Sequence, residues 1–385
     1  MNGSAGSDAA SVPSREGDVF TRIGVRAATG GYEVLLGPGV LDEVGLATQG
    51  STGARSAALV SDENVAALYG ERVVASLAGA GITTEVMTIA AGETSKTWTV
   101  AGALLERLAD ARLDRTSVLV ALGGGVVGDL GGFAAAVYLR GIPFVQVPTT
   151  LLAAVDSSVG GKTGVDLPQG KNLAGAFWQP SAVIADTNTL TTLPEAEWRS
   201  GLAEVAKAAF LDSERFVAVL EGAAAAPGGI DRDSAATRSI VADSVAFKAR
   251  VVAADEREAD QREILNYGHT FGHALEKVLG YGSLSHGQAV AEGIRFAAGL
   301  AETEAGASAR WTAREVRLLD ALGLGPARVA ASPGELLAAM HSDKKVRGGS
   351  VRFVLSTAPG SWEVKTVDDG VLEKALQRWA SARRG

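Results

Sequence analysis

The chain has 385 residues, 46% hydrophobic and 21% charged; at roughly 150 residues per domain that is about two to three domains with large apolar cores, which excludes a small disulfide-stapled scaffold and wholesale disorder. Lys plus Arg total 36 against 44 Asp plus Glu, and the net charge of −8 excludes a global field that would draw in nucleic acid or an anionic membrane. The absence of Cys excludes disulfides, thiolate-ligated zinc, iron–sulfur clusters and cysteine nucleophiles, so a metal here needs His and carboxylate ligands.

Residues 1–17, MNGSAGSDAASVPSREG, lack the basic start and apolar core of a signal or transit peptide and are expected to form a disordered tail. From Phe20 to Asp186, β-rich runs alternate with helical patterns: SAALVSD at 56–62, TEVMTI at 84–89, SVLVALG at 117–123, FVQVP at 144–148 and VIAD at 183–186. Asn64 to Leu77 and Ser95 to Ala111 have helical periodicity, the latter with Ser95 as its N-cap. This alternation predicts parallel strands joined by crossover helices. The apolar run from Ser117 to Val137 contains Asp129 and six glycines, and so predicts strand, loop and helix rather than a membrane span. With no export signal, the expected compartment is the cytoplasm. Beyond Pro194 the segments 194–222, 234–256 and 287–306 predict helices, 222–232 a loop and 350–356 a strand. The predicted organisation is an α/β domain over 18–193 and a mostly α-helical domain over 194–385.

The strand at 117–122 runs into Gly123, Gly125 and Gly128, a G-x-G-x-x-G fingerprint in strand-to-helix context. Glycines there let backbone N–H groups and a helix N-terminus approach a pyrophosphate, although a tight turn of any α/β protein has the same spacing. The acid expected about 20 residues later is missing, since 143–148 holds no carboxylate. A second glycine-rich segment, Asp156 to Gly164, ends like a Walker A loop but has Asp156 where that motif needs glycine. It leaves Lys162, and then Lys171-Asn172, among apolar segments as a candidate anion site. Of four histidines, three fall between 269 and 286. Arg262, Asn266, His269 and His273 follow spacings of 4, 3 and 4, which predicts one stripe of a single helix. Glu204, with Lys207 on its own face, is the candidate carboxylate partner. Two His and one Glu leave positions open for substrate oxygens, as at a catalytic zinc, and spacing leaves open which two histidines take part.

The segments GGGVVGDLGGF, RGIPFVQVPTTLL, DSSVGGKTGVDLPQGKNLAGAFWQP, LPEAEWRSGLAEVAK, ADEREADQREILNYGHTFGHALE, SHGQAVAEG and SDKK, in this order, with SDEN and AGETSK before them, closely resemble the 3-dehydroquinate synthases over about 62–345. The resemblance implies a Rossmann-like α/β domain followed by a helical one, NAD+ and a divalent metal, zinc or cobalt, and a homodimer. It implies metal ligands at Glu204, His269 and His286, leaving His273 for substrate contact or proton transfer. It implies NAD+ contacts at Asp62, Asn64, Glu93, Lys96, Gly125, Val126, Val127, Gly128, Asp129, Thr149, Thr150, Lys162, Lys171, Thr189, Leu190, Thr191 and Thr192. It implies a substrate site at Arg140, Asp156, Lys162, Asn172, Lys207, Lys248, Glu258, Arg262, Asn266, His273 and one of Lys344 and Lys345. The implied reaction converts 3-deoxy-D-arabino-heptulosonate 7-phosphate to 3-dehydroquinate and phosphate in the shikimate route. An aminodehydroquinate synthase, or a related sugar phosphate cyclase of specialised metabolism, could keep every named residue. A metal-dependent polyol dehydrogenase of similar architecture would release NADH, and the lysine-rich anion site argues against it.

Overall fold

A computed structural model describes residues 20–342 and 350–383. The expected tail at 1–17 and the pair Lys344 and Lys345 lie outside the described residues. The chain forms two compact units, one comprising the described residues to Leu193 with Val241–Arg257, the other Pro194–Ile240 with the described residues from Glu258 onward.

In the first unit the strands are β1 (Thr21–Ala27), β2 (Gly30–Gly37), β3 (Ser56–Asp62), β4 (Thr83–Ile89), β5 (Val118–Gly123), β6 (Phe144–Pro148), β7 (Lys162–Leu167), β8 (Gly170–Phe177) and β9 (Ala182–Asp186). Seven form one sheet of order β1-β2-β9-β6-β5-β3-β4, while β7 and β8 pair separately as a hairpin. Only the β1–β2 pair of the large sheet is antiparallel. Between strands run α1 (Val44–Thr52), the single turn α2 (Glu63–Val65), α3 (Glu71–Gly79), α4 (Trp98–Asp110) and α5 (Gly125–Val137). Strand β5 shows why its sequence is apolar throughout: Leu119 and Ala121 pack into one core layer, while Val118, Val120 and Leu122 pack into the layer on the other face. A strand buried on both faces has no solvent side to alternate toward. Each such side chain contributes roughly 1.5–3 kcal/mol on burial.

The second unit contains α6 (Glu195–Asp212), α7 (Glu214–Ala224) and the first turns of α8 (Ala235–Ala254). It continues with α9 (His269–Leu279), α10 (His286–Glu304), α11 (Ala309–Ala321), α12 (Pro333–His341), the hairpin of β10 (Arg352–Ala358) and β11 (Ser361–Thr366), and α13 (Asp369–Arg383). Helix α6 is buried almost all round from Trp198 to Leu211, so it is a central helix rather than an amphipathic surface one. Glycines let its neighbours come close. A Cβ on Gly287 of α10 would stand 2.4 Å from Ser200 Cα of α6, and one on Gly272 of α9 would stand 2.8 Å from the Ala289 carbonyl of α10. The architecture is therefore a Rossmann-like α/β unit and a mostly helical unit. Among the described residues no helix is long and apolar enough to cross a membrane.

Three local expectations are corrected. Ser95 does not cap α4, because its hydroxyl donates to the Ala90 carbonyl at 2.6 Å; Thr97 is the cap, its Oγ1 accepting the Val100 N–H at 3.2 Å. The stripe of Arg262, Asn266, His269 and His273 is not one helix. A 3-10 turn over Gln261–Asn266 ends at Tyr267, and left-handed Gly268 (φ 80°) caps the start of α9. The segment 194–222 is two helices, because extended Ser213 (φ −169°) ends α6 and caps α7. The hairpins β1–β2 and β7–β8, and strand β11, add to the strands read from the sequence.

Candidate active site

In the helical unit, three ligand-bearing side chains converge from three elements. Glu204 comes from the middle of α6, His269 from the first residue of α9 and His286 from the first residue of α10. One ligand atom from each lies within 4.8 Å of the other two. Glu204 Oε1 is 3.6 Å from His269 Nε2 and 3.3 Å from His286 Nε2. Glu204 is 2% exposed. His269 Nδ1 lies 3.1 Å from the Tyr267 carbonyl. A carbonyl only accepts, so Nδ1 carries a proton and Nε2 is the ring atom left to face Glu204. An imidazole nitrogen and a buried carboxylate oxygen turned toward one another are a donor pair that a cation can bridge. A tetrahedral zinc-like ion about 2.1 Å from its donors would separate them by about 3.4 Å, close to the 3.6 and 3.3 Å between Glu204 and the two imidazoles. The donor set of two imidazoles and one carboxylate fits such an ion.

Lys207, one turn along α6, pairs with Glu204 and is 3% exposed. Burial raises the Glu204 carboxyl, but the Lys207 ammonium and His286 outweigh it and bring its pKa down to about 2. Burial also works against protonation of His286, yet Glu204 holds that imidazole above its usual range. His273 packs edge-on against His269, ring centroids 5.3 Å apart, and is not one of the three convergent ligands. Asn266 Nδ2 donates to Glu258 Oε1 at 3.2 Å, with Glu258 in the left-handed region (φ 57°). Arg262 is 1% exposed.

In the α/β unit, β5 ends at Gly123 and Gly124 caps α5. The loop is tightly backed: a Cβ on Gly124 would stand 3.0 Å from Thr150 Cγ2, and one on Gly125 3.2 Å from Ser157 Oγ. The Thr149 N–H donates to the Gly123 carbonyl at 3.0 Å. Helix α5 thus presents a glycine-lined N-terminus able to hold a phosphate. One turn into it, Asp129 pairs with Lys96 Nζ at 2.5 Å. Burial lowers the Lys96 pKa, but Asp129 and Glu93 more than offset this and hold it above the usual lysine value. Glu93 also pairs with Lys171 Nζ at 3.5 Å.

Asp62 Oδ1 caps α2, accepting the Asn64 and Val65 N–H groups at 3.0 Å each. Thr189, Leu190, Thr191 and Thr192 form a 3-10 turn whose N-cap is buried Asp186. Lys248 Nζ reaches Asp156 Oδ1 at 2.6 Å and the Asp156 carbonyl at 2.5 Å. Lys162 opens β7, exposed. Asn172 lies on β8 with φ 53°, its N–H donating to Asp166 Oδ1 at 2.7 Å. Arg140 is exposed in a strained turn, with Leu139 at φ 49° and Arg140 at φ 66°.

The family model for the 3-dehydroquinate synthase N-terminal region matches residues 86–200, and that for the C-terminal region matches residues 201–346. The chain belongs to the 3-dehydroquinate synthase family. It is 49% identical over 333 residues to the 3-dehydroquinate synthase of Symbiobacterium thermophilum, covering 86% of this chain and 92% of that protein. Among solved structures it is similar to 2-deoxy-scyllo-inosose synthase in complex with carbaglucose-6-phosphate, NAD+ and Co2+, with a TM-score of 0.83 and 25% identity, covering 93% of this chain and 100% of the other. It is also similar to the 2-epi-5-epi-valiolone synthase of Streptomyces hygroscopicus subsp. jinggangensis with NAD+ and Zn2+ bound, with a TM-score of 0.81 and 27% identity, covering 91% and 97%.

Within this family fold, several residues that no sequence motif singles out also shape the site. Ser200 Oγ accepts the Gly287 N–H next to His286. Tyr267 carries the carbonyl that His269 addresses. The buried hydroxyl oxygens of Thr149, Ser157 and Ser158 have no hydrogen-bond partner among the described residues, and of these only Thr149 was a candidate. The one sequence signal for Ser200 is its position four residues before Glu204, on the same helical face.

Proposed function

We propose that the protein is a 3-dehydroquinate synthase, a phosphate-eliminating carbon–oxygen lyase converting 3-deoxy-D-arabino-heptulosonate 7-phosphate to 3-dehydroquinate and phosphate in the shikimate route. The observation that carries the reading is the convergence of Glu204, His269 and His286 beside the buried cation of Lys207, in a chain 49% identical to a synthase of that name. When bound, NAD+ takes up and returns a hydride while a zinc or cobalt ion polarises the oxygen on the carbon being oxidised.

Glu204, His269 and His286 are the residues that would hold the ion. The α5 N-terminus from Gly125 to Asp129, with Asp62, Asn64, Glu93, Lys96, Thr149, Thr150, Lys162, Lys171 and Thr189 to Thr192, would hold the dinucleotide. Arg140, Lys162, Asn172, Lys207, Lys248, Arg262 and one of Lys344 and Lys345 supply cations and donors for the substrate's phosphate and carboxylate, with charge-assisted bonds that strengthen as charge moves. Asp156, Glu258 and Asn266 orient these groups and the substrate hydroxyls. His273, adjacent to His269 but outside the ligand set, is placed to contact the substrate or move a proton. The departing phosphate is itself basic enough to take the proton beside the new ketone.

We further propose a homodimer working in the cytoplasm. The α/β unit exposes Trp98, Val137, Leu139, Leu173 and Phe177, apolar surface that a second copy would cover. The reaction is tested by incubating the protein with the heptulosonate phosphate and a trace of NAD+. One phosphate released per substrate, many per NAD+, with 3-dehydroquinate identified by mass and no steady rise in NADH, is the expected result. Turnover of only the aminated substrate would move the assignment to the amino branch, and stoichiometric NADH would contradict a synthase.

A further inference from the structure

We propose that the buried Tyr267–Glu315 pair is a positioning device for His269: by anchoring the Tyr267 side chain, Glu315 fixes the carbonyl that sets the tautomer and aim of this imidazole. The inference rests on reading Glu204, His269 and His286 as metal ligands. Tyr267 and Glu315 are both 0% exposed, and the Tyr267 hydroxyl donates to Glu315 Oε1 at 2.8 Å. Tyr267 occupies the break between the 3-10 turn and α9, where regular helical hydrogen bonding cannot hold its peptide plane. On one side the turn is wedged against α10: a Cβ on Gly268 would stand 2.7 Å from the Val290 carbonyl, and one on Gly293 would stand 1.7 Å from the Gly268 carbonyl. On the other side Glu315 of α11 holds the phenol. The Tyr267 carbonyl then accepts His269 Nδ1–H at 3.1 Å, leaving Nε2 to face Glu204.

The polarity of this contact is the telling feature. One turn before Glu315 on α11, Trp311 packs edge-on against Phe210, and its Nε1–H donates to Ser356 Oγ at 3.0 Å. Burying a carboxyl and a phenol is costly where an apolar pair would fill the same space. What a hydrogen bond adds is a fixed length and direction, and the partner of a ligand imidazole needs both.

The test measures zinc affinity of the full-length protein by competition with a chromophoric chelator, and the visible spectrum of the cobalt-loaded protein, for wild type, Tyr267→Phe, Glu315→Gln and Glu315→Leu, with folding checked by circular dichroism. Tyr267→Phe and Glu315→Leu should each weaken zinc binding by about 10- to 100-fold and alter the cobalt spectrum. Glu315→Gln, whose amide oxygen still accepts the phenol, should stay near wild type. Should Tyr267→Phe fail to fold, the contrast between Glu315→Gln and Glu315→Leu decides. Unchanged zinc affinity and spectrum in the folded variants would overturn the positioning role alone. A wild-type protein that binds neither ion would overturn the metal reading as well.

Discussion

The hydroxyl of Ser200 accepts the backbone N–H of Gly287 at 3.0 Å. One turn further along the same helix, Glu204 faces His286, the residue before Gly287. Helix α6 therefore carries one of the three convergent donors and also clamps the backbone that bears another. Gly287→Ala puts a methyl 2.4 Å from Ser200 Cα, where the obstacle is backbone and cannot swing aside. Its expected cost is about 1–3 kcal/mol or more in urea unfolding, together with loss of bound metal. Ser200→Ala removes only the acceptor and should cost about 1 kcal/mol. Equal stability of wild type and Gly287→Ala would show that the helix crossing is looser than described.

The ligand and non-ligand histidines should separate by metal content. His269→Ala removes one of the three convergent donors, so purified protein should contain far less than one zinc per chain by elemental analysis. His273→Ala leaves all three in place and should retain metal while turnover falls. Similar metal content in the two variants would refute this division of roles. Chelation of the wild-type protein should abolish turnover, with zinc or cobalt restoring it.

Lys96 is 4% exposed and bonded to Asp129. Lys96→Met strands a carboxylate in a site where desolvation is severe, and should destabilise the α/β unit by about 3–5 kcal/mol. Adding Asp129→Leu should recover much of that loss, because no charge is then left unpaired. A double variant as unstable as the single one would mean that the cost lies in packing rather than charge.

Glu315 predicts a pH dependence of stability. Burial raises its pKa from 4.5 to about 8, outweighing the Tyr267 hydrogen bond that lowers it. The native state thus keeps a proton that the unfolded chain releases, so the stabilisation is complete below pH 4.5 and is lost as pH rises toward 8. Glu315→Gln cannot ionise, so its unfolding free energy should decline less over this range, leaving it about 2–4 kcal/mol better placed relative to wild type at the alkaline end than at the acid end. Parallel pH profiles for the two proteins would rule this out.

The sequence by itself determined the element classes wherever one periodicity ruled a whole segment. Strand β5 is apolar at every position because both its faces are covered, and the glycines that follow it mark the turn into α5 whatever the rest of the chain does. It also carried the ligand types, since three histidines clustered near position 270 in a chain without Cys point to a His and carboxylate site. Pattern could not reveal how helices are interrupted or how they meet. A spacing of 4, 3 and 4 suits one helix, yet packing against α10 leaves room only for glycine at 268 and turns the chain there. The grouping of His269 and His286, rather than His273, around Glu204 likewise depended on tertiary structure: residues on one helical stripe share a direction, but only the crossings of α6, α9 and α10 bring a carboxylate 65 and 82 residues away in sequence to within 3.6 Å of one imidazole and 3.3 Å of the other. Local sequence sets what a segment tends to form; close approach between distant segments is settled by which side chains are small enough to permit it.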